Sequence, residues 1–453
     1  MFFIDTLGTE GLGNRGYVCG GTDTALVVDP PRDIDRVLAS AAVRGVRIEY
    51  VAETHVHNDA VSGGLELARV TGARYLVPAE ARVTFPRTPV ADGDEVALEP
   101  DLTVRALATP GHTPHHTSYV LADGGHDVAV FTGGSLLIGG VGRPDLVEPA
   151  LTERLARAQY ASAHRLADAL HDDVQVLPTH GFGSFCASSP PTDEAGTIGQ
   201  ERRNNEAFAL GTDAFVSQLL AGLDDVPAYY ARVGALNAAG PAPVDLTAPP
   251  VADADEVAAR LAAGEWVVDV RSRTLFSEGH VSGSFNIEAE GRPATYLAWL
   301  IPDGKPVTLL AASPAQLAAV QRELVRVGID RPVAAATGDP GSWIRTGEML
   351  RLLPRADFAA LAQARGRGEE PVVLDVRRDS ERAGRRVEGS VHIPVHELQG
   401  RVADVPPGVV WVHCATGLRA TIGASLLEAT GRDVVTVDDD LEAAESAGLM
   451  VAG

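Results

Sequence analysis

Val268-Asp269-Val270-Arg271 recurs 106 residues later as Leu374-Asp375-Val376-Arg377. At the same offset Val281, Gly283, Ser284 and Ile287 fall on Val387, Gly389, Ser390 and Ile393. Matches in register with no gap mark an internal repeat, so the C-terminal part must fold as two copies of one α/β domain. The copies lie near 251–350 and 355–453. A chain of 453 residues is too long for one core, and ordinary domain sizes give about three domains. Residues 1–235 supply the third. There, β-rich runs (Ala25–Asp29, Glu49–Glu53, Val128–Thr132) alternate with stretches of helical spacing (Ile34–Val46, Leu65–Thr71). Between that region and the repeat, residues 236–250 are rich in Pro, Ala and Gly and read as a linker.

Charge and cysteine usage narrow the partners. A formal charge of −23 argues against nucleic acid or an anionic membrane surface. No apolar run approaches the ~20 residues of a membrane span. The N-terminus, Met1-Phe2-Phe3-Ile4-Asp5, lacks a basic region and reads as a first strand rather than a signal peptide. Three scattered cysteines, Cys19, Cys186 and Cys414, do not make a disulfide framework. A reducing cytoplasm is the expected compartment. Lys305 is the only lysine, which we read as the mark of a GC-rich bacterial genome.

In the second copy a buried-strand run, Val409–Val412, leads through His413 into Cys414-Ala415-Thr416-Gly417-Leu418-Arg419, and helical spacing follows over Ala420–Thr430. A thiol between a strand end and a helix start faces several backbone N–H groups and the positive end of the helix dipole. That setting steadies an anionic persulfide or an anionic donor. Gly417 lets the loop close tightly, and Arg419 is placed to hold the donor or acceptor anion. Leu-Asp-Val-Arg, the segment Glu388–Pro394 and Cys-x-x-Gly-x-Arg together resemble the rhodanese family. The short step from Cys414 to Arg419 is tighter than the phosphate-wrapping loop of tyrosine phosphatases, and favours sulfur chemistry. The first copy differs. Its strand Val307–Leu310 runs into Ala311-Ala312-Ser313-Pro314, with no cysteine and no closing arginine. Nothing beside Ser313 resembles an activating base, so this copy is expected to be silent.

The N-terminal region carries Thr54-His55-Val56-His57-Asn58-Asp59-Ala60, then Gly111-His112-Thr113 with His115 and His116, then Thr179-His180-Gly181. Histidines on strand-end loops at long separations are how a metal is assembled at a sheet edge. With Thr132-Gly133-Gly134, Gly142-Arg143-Pro144-Asp145 and Thr197–Arg202, these segments resemble the metallo-β-lactamase superfamily. Within it they are most similar to persulfide dioxygenases fused to rhodanese domains. The resemblance implies an αββα sandwich followed by two rhodanese-like α/β domains. It also implies Fe(II) or Zn(II), and a low-molecular-weight thiol persulfide, thiosulfate or sulfite as small-molecule partners. Relatives commonly dimerise through the sandwich, so the resemblance allows a homodimer.

Two ligand positions of the family pattern are changed. Ala60 stands where the superfamily has a histidine, and Gly134 stands where it has the carboxylate of Thr-Gly-Asp. His55 and His112 match the family's ligands, and His57 is expected to complete a three-nitrogen site, with Asp59 and His180 as further candidates. His116 is expected to pack beside the site, and Arg143 to bridge Asp145. Three readings follow. The first is persulfide oxidation coupled to sulfur transfer at Cys414. The second is a zinc-dependent thioester hydrolase of the glyoxalase II type. The third is a metal-free platform with Cys414 as the one reactive group.

Overall fold

The computed structural model describes residues 2–188 and 193–452. Met1 and Gly453, the first and last residues of the expected domains, lie outside that description. The chain divides into two compact units. One is Met1–Val244 with Val325–Gly328, and the other is Asp245–Leu324 with Ile329–Gly453.

The first unit holds two six-stranded sheets. One runs β1 (Phe3–Thr9), β2 (Asn14–Gly20), β3 (Thr24–Val28), β4 (Arg47–Ala52), β5 (Arg74–Pro78), β6 (Thr88–Val90) in sequence order. The other comprises β7 (Glu95–Glu99), β8 (Leu102–Ala108), β9 (Thr117–Asp123), β10 (His126–Gly133), β11 (Gln175–Pro178) and β12 (Gly196–Thr197), again neighbour to neighbour. Strand alternation sorts the side chains. Leu26 and Val28 point between the sheets, where they meet Val104, Tyr119, Leu121 and Phe131. Ala25 and Val27 point outward, under Val37, Ala41 and Leu67 of the helices Asp35–Arg44 and Gly64–Thr71. The far face of the second sheet is covered by helix Thr152–Ala169 through Ala156, Ala163 and Leu166. The result is the expected αββα sandwich. Cys19 lies in the core between the sheets, where burial pushes its thiol up.

The Pro-rich stretch begins later than its composition suggests. Helix Tyr229–Ala239 runs past residue 235, because Leu236-Asn237-Ala238-Ala239 is good helix sequence except for Asn237. Asn237 is held there by tertiary bonds. Its amide donates to the carbonyls of His57 (2.7 Å) and Ala60 (2.8 Å), and its oxygen accepts the Ser62 N–H (2.9 Å).

The second unit holds the repeat. The first copy has β13 (Trp266–Asp269), β14 (Phe285–Asn286), β15 (Val307–Ala311) and β16 (Ala334–Thr337), in the parallel order β14-β13-β15-β16. The second has β17 (Arg355–Ala356), β18 (Val372–Asp375), β19 (Arg385–Val387), β20 (Val391–His392), β21 (Val410–His413), β22 (Val434–Val437) and β23 (Met450–Ala452). Its main sheet is parallel in the order β17-β22-β21-β18-β20, with β19 and β23 paired antiparallel beside it.

The repeated Asp-Val-Arg is a staple. Asp269 accepts the Arg271 N–H at 3.0 Å and its guanidinium, which also donates to the Gly279 carbonyl at 2.8 Å. Asp375 does the same for Arg377, which reaches the carbonyls of Glu381 (3.0 Å) and Arg385 (2.9 Å). Buried ions persist only when paired and hydrogen-bonded, and each staple satisfies that by fastening a strand end to the next loop. Among the described residues, no helix is long and apolar enough to cross a membrane.

Candidate functional site

Loops at the C-terminal ends of β4, β8 and β11 bring the histidines together. His55, His112 and His180 are all buried, and one ring nitrogen of each lies within 4.8 Å of the others. His112 Nδ1 is 2.8 Å from the Arg143 carbonyl, which assigns the proton to Nδ1 and the lone pair to Nε2. His55 Nδ1 meets Thr54 Oγ1 at 2.9 Å, and its buried Nε2 has no hydrogen-bond partner. Nε2 of His180 is buried and unpartnered as well. Burial and the neighbouring imidazoles hold His55 and His112 well below the usual histidine range, so both are neutral near pH 7. Neutral imidazoles with convergent, unsatisfied lone pairs are a metal donor set. The residues present therefore fit a metal ion.

His57 does not join them. Its Nε2 lies 3.1 Å from Glu53 and 3.2 Å from Asp29. Burial opposes charge on this ring, but the two carboxylates outweigh it and hold His57 well above the usual range. Asp29 is fixed as the anion by the Thr54 N–H (2.7 Å) and two hydroxyls, whereas burial pushes Glu53 up. One cation cannot neutralise both acids. Of the expected ligands, His55 and His112 converge with His180, while His57 converges with Asp59 and His180 in a neighbouring group and also faces Asp29 and Glu53. Asp59 lies 3.4 Å from His180 Nδ1, and neither of its buried oxygens finds a hydrogen-bond partner. His116, as expected, packs beside the site. Its Nε2 accepts the Gly134 N–H at 3.0 Å, and burial lowers its pKa to about 3.

Gly134 has more than a missing carboxylate. A Cβ built there would overlap the His112 ring, and one on Gly142 would come within 2.7 Å of His112 Nδ1. The His112 imidazole therefore occupies the space a side chain at 134 would need. Arg143 clasps Asp145 with two bonds of 2.7 Å, the bridge expected from their match to the family's Gly-Arg-x-Asp. Cys186 is buried against Tyr230.

In the second unit, Cys414 follows β21 directly and precedes helix Leu418–Glu428. Ala415, Thr416 and Gly417 form the loop, and Leu441 N–H donates to the Ala415 carbonyl at 2.9 Å. Gly417 has φ +89°, and a Cβ there would strike Asp438. Both facts require glycine. Cys414 is 2% exposed. His413, buried before it, is pushed down to about 4 by burial and is neutral. Arg419, expected to hold an anion, faces a carboxylate of its own domain. Its fork donates to both oxygens of Glu381, at 2.5 and 2.6 Å.

The two strand registers align Asp269 with Leu310 and Asp375 with His413, so Ala311 stands at the place of Cys414. Ser313 accepts the Gln316 N–H at 3.2 Å while Gln316 reaches back to the Ala312 N–H at 2.9 Å. That reciprocal cap explains Ser313 without chemistry. Asp29, Glu53 and Glu381 were not singled out in the sequence. Glu381 had a signal, because setting the copies side by side puts it opposite Leu275.

The family model described as Metallo-beta-lactamase superfamily matches residues 8–180, and that of the Rhodanese-like domain matches 253–344 and 358–447. The hydroxyacylglutathione hydrolase of Methylococcus capsulatus is 33% identical over 192 residues, 42% of this chain and 70% of that protein. The chain belongs to the metallo-beta-lactamase superfamily. Two rhodanese-like domains follow its superfamily domain. The human mitochondrial persulfide dioxygenase ETHE1 is 29% identical over 210 residues, 44% of this chain and 73% of that protein. A metallo-beta-lactamase from Staphylococcus aureus shares the fold, with TM-score 0.67 and 24% identity over 75% of this chain and 99% of that one.

Proposed function

We propose that this protein is an enzyme of sulfane-sulfur metabolism whose sulfur-transfer step occurs at Cys414. The observation that carries the reading is the placement of Cys414 between β21 and helix Leu418–Glu428, on a loop that only Gly417 can close. Cys414 as thiolate attacks the outer sulfur of a thiol persulfide or of thiosulfate. A sulfur–sulfur bond forms on Cys414, the donor's own sulfur–sulfur bond breaks, and its electron pair leaves on the thiolate or sulfite. The loop N–H groups and the helix start hold the negative charge of the Cys414 persulfide. An incoming thiol or sulfite then takes the outer sulfur and restores the thiolate.

In the superfamily domain, His55, His112 and His180 would hold Fe(II) or Zn(II). A bound ion supplies Lewis-acid chemistry, and iron adds the capacity to bind O₂. The chain's own contribution is to fix those rings. The Arg143 carbonyl orients His112, Thr54 orients His55, and the Asp29–His57–Glu53 cluster holds the His55–Asp59 loop. The likeness to a persulfide dioxygenase supports persulfide oxidation in this domain. Three imidazoles without a carboxylate also suit zinc, and with the likeness to hydroxyacylglutathione hydrolase this favours thioester hydrolysis as a second reading.

Metal analysis of the purified chain, followed by O₂ uptake with glutathione persulfide, separates the readings. Iron with persulfide-dependent uptake supports the first, and zinc with thioesterase activity the second. A metal-free protein that still transfers sulfur leaves the domain as a platform. In each case Cys414→Ser should abolish transfer to cyanide, and retained transfer would refute the assignment of Cys414.

A further inference from the structure

Arg419 is the one guanidinium on the first turn after the Cys414 loop, and it is already occupied. Both its terminal nitrogens donate to Glu381, whose Oε2 also accepts the N–H and the Nε of Arg378, each at 3.1 Å. The Arg419 side chain is 13% exposed and that of Glu381 25%, so the pair is only partly screened by water. The Glu381 carboxylate is shared between Arg419 and Arg378, and both terminal nitrogens of Arg419 are taken up by it.

The fold does not need this carboxylate. In the silent copy the same strand, the same Asp-x-Arg staple and a short helix recur, and Leu275 stands at the matching position, 44% exposed. Glu381 therefore belongs to what distinguishes the reactive copy.

Two classes of sulfur donor would feel Glu381 differently. Thiosulfate is a dianion whose three oxygens match a guanidinium fork, and to use Arg419 it must displace an intramolecular carboxylate. The persulfide group of a thiol persulfide carries at most one charge, on the sulfur that Cys414 attacks, and the loop N–H groups can meet it without Arg419. On the footing that Cys414 transfers sulfur, we propose that Glu381 is a specificity-determining residue that blocks Arg419 against thiosulfate and selects a thiol persulfide as donor.

The test has two arms. In a Cys414→Ser background, where no turnover occurs, thiosulfate binding is measured by calorimetry with and without Glu381→Gln. Removing one charge-assisted competitor should tighten binding by about tenfold. In the chain with Cys414 intact, Glu381→Gln should raise kcat/KM for thiosulfate relative to glutathione persulfide by about tenfold. Glu381→Asp, which keeps the charge, should stay near the parent ratio. An unchanged thiosulfate affinity, or an equal fall with both donors, would mean that Glu381 only positions Arg419 and would overturn the proposal. Persistence of transfer in Cys414→Ser would instead strike the assignment of Cys414, while the binding arm would still decide the role of Glu381.

Discussion

The two rhodanese-like copies share their frame and differ in their loops. Each has parallel strands pinned by a buried Asp-x-Arg staple, Asp269–Arg271 in one and Asp375–Arg377 in the other. At the end of the neighbouring strand the silent copy has Ala311 and a Ser313 cap, while the reactive copy has Cys414 and the left-handed Gly417. The staple is common to both copies, and the loop is where they part. At Ala311, Ser313 and Leu275 the first copy departs from the second while the frame stands unchanged.

The silent copy is still connected to the reactive one. Its Arg273 donates to Asp438 at 2.7 Å, and Asp438 is the residue against which Gly417 closes. Its Asn286 N–H donates to Ser425 of the helix behind Cys414 at 3.1 Å, and Trp299 stacks on His396 with ring centres 4.6 Å apart. The copy without a cysteine is thus packed against the Cys414 loop and its helix by side chains of its own.

The comparison can be broken first at what is shared. Asp375→Asn leaves Arg377 buried without its counter-ion and should destabilise the second unit by about 3–5 kcal/mol, with Asp269→Asn doing the same. Denaturant unfolding reads both, and a loss in one copy only would show that the staples are not equivalent. Gly417→Ala strikes what differs. The left-handed backbone and the overlap with Asp438 should together lower stability by about 1–3 kcal/mol and remove sulfur transfer. The melting temperature and the transfer assay check the two effects separately.

A smaller effect appears in acid. Burial opposes ionisation of Glu381, but its bonds to Arg419 depress it from 4.5 to about 2. A depressed carboxylate contributes stability that is present in full above about pH 4.5 and is lost as the pH falls through about 2. Glu381→Gln should flatten that limb of the acid-unfolding curve, and an unchanged limb would contradict the pairing. The smallest expected effect is none. Ala311→Cys places a thiol at the register of Cys414 but supplies neither the glycine turn nor an open anion site, so it should gain no transfer activity in a Cys414→Ser chain.

The sequence made the frame legible because its signals are local. Strand alternation, the repeat offset and Cys-x-x-Gly-x-Arg are each contained in a short segment, and the element positions read from them match the structure closely. The metal cluster was less legible because it depends on which strand ends converge. His57 shares a motif with His55, yet parallel pairing of β3 with β4 sets Asp29 and Glu53 against it, and its shared donor group is with Asp59 and His180 rather than with His55 and His112. His180, on the loop after β11, is the ring that converges with His55 and His112. Asn237 sits in a stretch whose composition reads as linker, and only its bonds to the His57–Ala60 loop reveal that it belongs to the domain.

The central claim is that one thiol in this chain carries sulfur. Incubating the protein with glutathione persulfide, blocking thiols and mapping peptides by mass spectrometry tests it most directly. The account predicts the added mass of one sulfur atom on the Cys414 peptide and none on those of Cys19 and Cys186, both buried in the first unit. Sulfur on Cys186 or Cys19, or an unmodified Cys414 under conditions of turnover, would contradict it.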